Sequence, residues 1–153
     1  MGKSGESKMR YTGRHTYSVD HKGRLFIPAE FRRLLRPEDE GTFVVTRGFD
    51  GSLLVYPLSI WAEFEERLRS LPYTRERVRW LLRKFVSYAE RCPIDSQGRI
   101  NIPAHLLEYA GIKKEALIIG LIDKIEIWNP EVYAEKEEVI EEKIEEWMEE
   151  LDL

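Results

Sequence analysis

The amino-acid sequence predicts an α+β fold in which two tandem β-β-α-β-β-α repeats close into one barrel with pseudo-twofold symmetry. Three observations predict it: a five-residue motif occurs twice, longer segments around it repeat at a nearly constant spacing, and each half has its own series of short strands and helices. Self-similarity over such a span is typical of a tandem structural unit. The chain is therefore interpreted as a duplication.

The repeated motif is D-x-x-G-R. "DHKGR" at Asp20–Arg24 returns as "DSQGR" at Asp95–Arg99, and "IPA" begins three residues after each copy, all at a constant offset of 75. Further along, Val44–Pro57 aligns with Leu117–Pro130 at an offset of 73. The match extends well beyond the pentapeptide, which argues against chance.

The first half begins with the β-rich segment "YTGRHTYSV" and the short apolar segment "RLFI", separated by an Asp-to-Gly turn. This pattern predicts a strand-turn-strand unit. Pro28 fits the first turn of a short helix, "PAEFRRLL". The strands "TFVVT" and "SLLVY" follow, and a helix is predicted over about Leu58–Ser70.

The second half repeats this order. Pro103 opens a short helix that Gly111 closes as a C-terminal cap, and "ALIIGL" and "KIEIW" are the next two strands. The last helix is predicted from Asn129 as N-cap and Pro130 at the first helical position.

Between the halves, "TRERVRWLLRKFVSYAER" predicts a linking helix with one apolar face. That face consists of Val78, Leu81, Leu82, Phe85, Val86 and Ala89. Each half alone has short strands with exposed edges and is a poor candidate for independent stability. Interleaving the two halves into one barrel would satisfy both edges.

The predicted organisation has five parts. Residues 1–10 are a polar N-terminal segment, expected to be disordered or vector-derived; 11–72 form the first repeat; 73–90 the linking helix; 91–130 the core of the second repeat; and 131–153 an acidic C-terminal helix.

Composition sets the outer limits on function. The 153 residues, 42% of them hydrophobic, can bury an ordinary core, and neither a membrane-spanning run nor a signal peptide is apparent. The single cysteine, Cys92, excludes an internal disulfide and fits a reducing compartment. A cytoplasmic location is therefore expected.

The net charge of −4 is distributed unevenly along the chain. Residues 1–36 contain nine Lys/Arg and three Asp/Glu, whereas residues 131–153 contain two Lys/Arg and eleven Asp/Glu. A basic segment that carries a repeated motif is a candidate polyanion surface, and an acidic tail repels nucleic acid from its own side.

The D-x-x-G-R motif has a turn chemistry of its own. Asp20 and Asp95 can accept backbone N–H bonds as Asx-turns do, and Gly23 and Gly98 can adopt the positive φ of a tight hairpin. The arginine that follows can return to the aspartate as an internal clamp, or project outward to phosphate or a guanine edge. The residues alone leave both alternatives open.

These residues resemble the MraZ family. The resemblance rests on "GRHTYSVDHKGRLFIPAEFR", "LLVYPLSIWAEFEERL", "DSQGRINIPAHLLEYAGI" and "IIGLIDKIEIWNPEVY", and it covers roughly Tyr11–Glu150. It implies a swapped-hairpin fold related to the AbrB-type DNA-binding domain. It also implies a nucleoid-associated transcriptional regulator, assembled as a homo-oligomeric ring, that binds short direct repeats in double-stranded DNA upstream of the division and cell-wall gene cluster.

The resemblance also implies which residues contact DNA. They are Arg24, with Lys22, His21, Arg14 and Arg10 around it, and Arg99. The second copy is less basic, because Gln97 replaces Lys22 and Asn101 replaces Phe26, so a smaller contribution is expected from Arg99. No enzyme activity, cofactor, metal, membrane or small-molecule substrate is expected.

Other features point less directly to function. The histidines and Cys92 lack metal-ligand spacing. The basic side of the linking helix is expected to be solvated or to pair with the Glu-rich C-terminal helix of a neighbouring chain. That helix carries a narrow apolar stripe for a partner groove or for its own core, and all four tryptophans are expected to be buried.

The alternative function is an oligomeric protein-interaction scaffold or antidote-like inhibitor of the same fold, in which the Asp–Arg turns are structural.

Overall fold

The computed structural model describes residues 10–153, and the expectation for residues 1–10 lies almost wholly outside this range. Within it, the chain forms eight strands and six α-helices in the predicted order. The first half comprises β1 (Arg14–Ser18), β2 (Arg24–Phe26), α1 (Ala29–Arg32), a 3₁₀ turn (Pro37–Asp39), β3 (Thr42–Arg47), β4 (Leu53–Pro57) and α2 (Leu58–Arg69).

A linking segment and the second half follow. The linking segment is α3 (Glu76–Leu81) continued by a π-turn (Leu82–Val86). The second half comprises β5 (Glu90–Pro93), β6 (Arg99–Asn101), α4 (Ala104–Ala110), β7 (Glu115–Gly120), β8 (Ile125–Trp128), α5 (Pro130–Ile140), a 3₁₀ turn (Glu141–Lys143) and α6 (Ile144–Glu150).

The two halves interleave, which confirms the predicted swapped-hairpin arrangement. An antiparallel six-stranded sheet has the order β1-β7-β8-β4-β3-β5, and β2 and β6 form a separate two-stranded ribbon. β1 of the first half pairs with β7 of the second, and β5 of the second half pairs with β3 of the first. Each half therefore covers a sheet edge of the other.

The pseudo-twofold axis passes through the ribbon. Leu25 and Ile100, which are equivalent at the offset of 75, lie directly opposite each other in the β2–β6 pairing, and both side chains are fully buried. The turns that precede β2 and β6 consequently lie at opposite ends of the ribbon. Below it, residues such as Phe31, Phe43 and Ile118 fill the single main core.

The D-x-x-G-R turns are present, but β1 and β2 separate after the turn instead of forming an extended hairpin. In the described part of the chain they are joined by the single bridge between Val19 and Leu25, because each strand finds its full partner in the other half. Pro28 and Pro103 precede their helices as N-caps instead of occupying the first helical turn. Gly111 is the left-handed C-cap that was predicted.

The linking helix is shorter than predicted. It ends with the π-turn at Val86, and Glu90 already belongs to β5. The helix stops early because the residues that follow pair with β3 as the edge strand of the sheet. Val78 and Phe85 are buried as expected, but Leu81 is exposed. The wider π-turn shifts the helical phase, so the residues do not share one continuous apolar face.

The hairpin loop between β7 and β8 in the second half is one residue shorter than the equivalent loop between β3 and β4 in the first half. The loop between β7 and β8 covers residues 121–124, whereas that between β3 and β4 covers 48–52. β8 therefore corresponds to β4 at an offset of 72, although the sequence match suggests 73. In consequence, Asn129 takes the position of Pro57 ahead of the following helix and caps it by accepting the backbone N–H bonds of Glu131 and Val132.

The outer face of the six-stranded sheet carries two smaller apolar clusters. Val44, Leu54, Trp61 and Phe85 form one, and Leu117, Ile119 and Trp128, with Tyr133 against them, form the other. Trp61 and Trp128 are buried as predicted. The prediction is wrong for Trp80 and Trp147, which are 59% and 40% exposed because they lie on outward faces of their helices.

No helix in residues 10–153 is both long and apolar enough to cross a membrane.

Candidate nucleic-acid interface

Each D-x-x-G-R turn is organised by its aspartate. Oδ1 of Asp20 accepts the backbone N–H bonds of Lys22 and Arg24 at 3.0 and 2.8 Å, and Oδ2 accepts a bond from Nε of Arg24 at 2.7 Å. Asp95 makes the same three bonds, from the backbone of Gln97 and Arg99 at 2.8 and 2.9 Å and from Nε of Arg99 at 3.0 Å. The two copies are thus the same structural device.

The glycines are required by both backbone angle and space. Gly23 and Gly98 have φ of +83° and +81°, as predicted. Each carbonyl also accepts a hydrogen bond from the opposite half, Gly23 from the N–H of Ile102 and Gly98 from that of Ile27, both at 2.9 Å. A Cβ on Gly23 would lie 2.7 Å from the carbonyl oxygen of Ile102. Hydrogen bonds between the two halves therefore hold both turns in place.

Hydrogen bonding keeps both aspartates ionised. The backbone N–H of Arg24 is the main cause that lowers the pKa of Asp20 to about 2, and the backbone N–H of Arg99 likewise lowers the pKa of Asp95. At neutral pH each turn therefore contains a charged carboxylate that orients a guanidinium.

The internal clamp and an external contact are compatible in this geometry. In residues 10–153, Arg24 and Arg99 use only Nε to reach their aspartates and make no other side-chain hydrogen bond. Their side chains are 30% and 25% exposed. The aspartate positions the guanidinium while both terminal nitrogens stay available to a phosphate or a guanine edge.

The two arginines share the outer face of the ribbon. Arg24 lies opposite Asn101 and Arg99 opposite Phe26, while Leu25 and Ile100 point into the core. The arginines therefore occupy diagonal corners of a short antiparallel pair, with a turn at each end. A two-stranded β-ribbon is one of the elements that fits the major groove of B-DNA.

The sequence interpretation missed one cation at this surface, Arg32. Its Nε donates to the carbonyl oxygen of Ile27 at 2.9 Å, and its guanidinium stacks 4.9 Å from the ring centre of Phe26. A Cβ on Gly98 would lie 2.8 Å from Cζ of Arg32. Arg32 of the first half thus covers the turn of the second half and adds a positive charge there.

The doubled arginine in "FRRLL" was the available signal for Arg32. It could not be assigned to the second turn, because that contact crosses between halves. The residue at the equivalent position by the offset of 75 is Leu107, which lies beside Gly23. The charge difference between the turns is therefore smaller than the motif sequences suggest.

The other predicted DNA contacts are not all brought together. His21 and Lys22 are exposed in the first turn itself. Arg14 lies at the far end of β1, where its guanidinium contacts Oε2 of Glu137 at 3.1 Å and stacks over Tyr133. Arg10 is exposed beyond that end, next to Tyr11. The structure thus separates Arg10 and Arg14 from the ribbon.

Comparison with known proteins agrees with this architecture. A family model described as "MraZ protein, putative antitoxin-like" matches the chain twice, over residues 11–84 and 85–152, once for each half. The division falls inside the linking segment.

Relatives over most of the chain have the name Transcriptional regulator MraZ. The protein of Pelotomaculum thermopropionicum is 50% identical over 118 residues, covering 77% of this chain and 79% of the relative. That of Moorella thermoacetica is 45% identical over 119 residues, 78% and 80% of the two chains. That of Desulfitobacterium hafniense strain Y51 is 42% identical over 125 residues, 82% and 85%. The chain therefore belongs to the MraZ family, whose members are transcriptional regulators and not enzymes.

Proposed function

We propose that this protein regulates transcription by binding double-stranded DNA, at short direct repeats upstream of the division and cell-wall gene cluster, through the outer face of the β2–β6 ribbon. The observation that carries the proposal is the pair of D-x-x-G-R turns. Each turn holds an arginine by Nε, and no residue in 10–153 bonds to the terminal nitrogens of that arginine. The two arginines lie at the two ends of a ribbon whose outer face is partly exposed.

The residues of this face have different proposed roles. Arg24 and Arg99 contact base edges or phosphates in the groove, with Asp20 and Asp95 fixing their direction. Lys22, His21 and Arg32 neutralise phosphates around the two turns. Arg14, paired with Glu137, contributes less than expected from the sequence, and Arg10 joins only if the DNA extends along β1.

Assembly is the second part of the proposal. One ribbon of three-residue strands reads only a few base pairs, and a few Arg/Lys contacts give weak binding. Several copies in a homo-oligomeric ring would engage repeated elements together and raise the affinity by effective concentration. Such a protein would work in the cytoplasm, at the nucleoid.

The test is fluorescence anisotropy with a labelled duplex from upstream of the protein's own gene, and with a scrambled duplex of equal length, over a series of salt concentrations. We expect preference for the natural duplex and an affinity that falls steeply with salt. Arg24→Ala should weaken binding, whereas Lys143→Ala, an exposed change in the 3₁₀ turn before α6, should not. Equal affinity for the scrambled duplex would contradict sequence-specific recognition.

One observation favours the alternative of a protein-interaction module or antidote-like inhibitor. Both arginines are already bound to aspartates, so the turns are stable without any ligand. In that case the protein would bind no duplex specifically, and partner binding through apolar contacts would change little with salt. The salt series therefore separates the two functions.

A further inference from the structure

A groove beside the C-terminal helix combines apolar and acidic side chains. It has a volume of about 790 Å³, and its walls include Trp128, Ile140, Ile144 and Trp147 together with the carboxylates of Asp50 and Glu141. Ile144 and Trp147 are each 40% exposed. A surface of this kind fits a partner that is both apolar and basic.

The pseudo-twofold symmetry indicates what is missing from this groove. In the first half, Phe85 of the linking segment covers Val44, Leu54 and Trp61 on the outer sheet face. In the second half, the equivalent face around Leu117 and Trp128 is covered by Tyr133 of α5. Within residues 10–153, no second linking segment packs there, so this half lacks the cover that the first half has.

The linking segment and the adjacent end of β3 present the complementary surface. We call it the linking face: Arg47, Trp80, Leu81, Arg83 and Lys84. Trp80 and Leu81 are 59% and 41% exposed, and the guanidinium of Arg83 stacks 4.6 Å from the ring centre of Trp80. A pocket of about 250 Å³ opens between the three cations and Trp80. The linking face is therefore basic and apolar.

The cations of the linking face lack acidic partners within residues 10–153. In the described part of the chain, no carboxylate forms an ion pair with Arg47, Arg83 or Lys84. The buried Nε of Arg47 has no hydrogen-bond acceptor there either. The guanidinium of Arg47 stacks on the rings of Tyr88 and Tyr109 and also lines the pocket beside Trp80. A carboxylate supplied by another chain at this pocket would balance the charge of the cations around it.

We propose that the linking face of one copy docks into the C-terminal groove of a second copy. Trp80 is the apolar anchor, and the groove carboxylates, including Asp50 and Glu141, face Arg47 and Arg83. The contact joins two different surfaces, so it is head-to-tail and repeats from copy to copy until a ring closes. This inference rests on the oligomeric part of the proposed function and specifies the surfaces that form it.

The experiment uses two variants of the full chain. Trp80→Ser combined with Arg83→Glu removes the linking face, and Ile144→Asp removes the groove. Light scattering should show a large assembly for the unchanged protein and single chains for each variant alone. Mixed in equal amounts, the variants retain one good linking face and one good groove between them. They should therefore form dimers of two chains and nothing larger.

A second groove variant guards against misfolding. Glu141→Lys changes an exposed carboxylate and should also yield single chains, whereas Glu138→Lys, one turn earlier and outside the groove, should leave the assembly unchanged. Circular dichroism and melting temperature check that every variant is folded. An assembly whose mass is unaffected by the groove and linking-face variants, or a mixture that stays monomeric, overturns the proposal.

The same samples keep this inference separate from DNA binding. The single-chain variants retain the ribbon and should bind a duplex with one repeat about as weakly as one subunit of the assembly does. If the unchanged protein assembles and the mixed variants form dimers but none binds DNA, the proposed function fails and the contact stands. If DNA is bound and the variants do not change the mass, only the contact fails.

Discussion

At the scale of single residues, Gly23 allows the swap to be tested, because it combines a positive φ with a close contact to the other half. Gly23→Ala should lower the free energy of unfolding by about 2 kcal/mol or more. Gly13 is the matched control, since it has φ of +87° and no atom of residues 10–153 within 4 Å of a Cβ, and Gly13→Ala should cost about 1 kcal/mol. Urea denaturation measures both. Equal losses would show that the contact with Ile102 has no energetic role.

The lowered pKa of Asp20 predicts acid sensitivity. A folded-state pKa of about 2, against about 3.9 in an unfolded chain, means that the ionised aspartate stabilises the fold above about pH 4. This contribution is lost as the pH falls from about 4 to about 2. Asp20→Asn should therefore flatten the dependence of unfolding free energy on pH in that window, and carboxyl carbon NMR should give the titration midpoint directly. A midpoint near 4 would contradict the turn geometry.

The arginines of the two turns provide a binding test. Arg24→Ala should reduce the affinity for the natural duplex by about 1–3 kcal/mol, because the terminal nitrogens of Arg24 are proposed to contact the DNA. The melting temperature should change little, because Asp20 keeps its two backbone N–H bonds within the turn. Arg99→Ala is predicted to cost less affinity, since its turn has Gln97 in place of Lys22. Arg32→Ala should also weaken binding and should lower the salt slope by about 1. Equal losses from Arg24→Ala and Arg99→Ala would mean that the turns act equivalently.

At the scale of elements, the edge strand β5 has a built-in reporter in Cys92. The side chain is buried against the core opposite Phe43, and burial raises the pKa of its thiol to about 12. Iodoacetamide reacts with thiolate, so labelling requires β5 to detach from β3. We expect labelling in native buffer to be slower than that of a cysteine peptide by at least about 100-fold, and to accelerate with urea. A peptide-like rate would show that β5 is open.

At the scale of the whole molecule, the distribution of charge predicts how DNA must be arranged. The basic segment of residues 1–36 and the acidic segment of residues 131–153 lie at opposite ends of the sequence, and useful affinity from a chain of net charge −4 requires several linked ribbons. A duplex with two to four repeats should bind far more tightly than one with a single repeat. Insertion of about five base pairs between repeats rotates them to opposite faces and should abolish the gain.

A mobility-shift assay at constant salt measures this effect. Insertion of about ten base pairs, one helical turn, is the control, because it returns the repeats to the same face of the duplex. If a single repeat is bound as tightly as the array, multivalent binding is excluded.

The duplication, the order of the elements and the chemistry of the two turns could all be predicted from the sequence. Those features are local: an aspartate that bonds its own backbone, a glycine at positive φ and a short apolar strand depend on neighbouring residues. The equivalence of the halves was visible in the constant offset of 75. Burial of Trp61 and Trp128 also followed from their local pattern.

The contacts between the two halves could not be predicted from the sequence and are seen only in the folded chain. The pairing of β1 with β7, the position of Arg32 over the turn of Gly98, the ion pair of Arg14 with Glu137 and the early end of the linking helix all depend on contacts between distant parts of the chain. Local sequence patterns do not show which distant segments come into contact, because a strand or helix with a given amphipathic period can pack against several different elements. The swap therefore decides which cations share the ribbon surface.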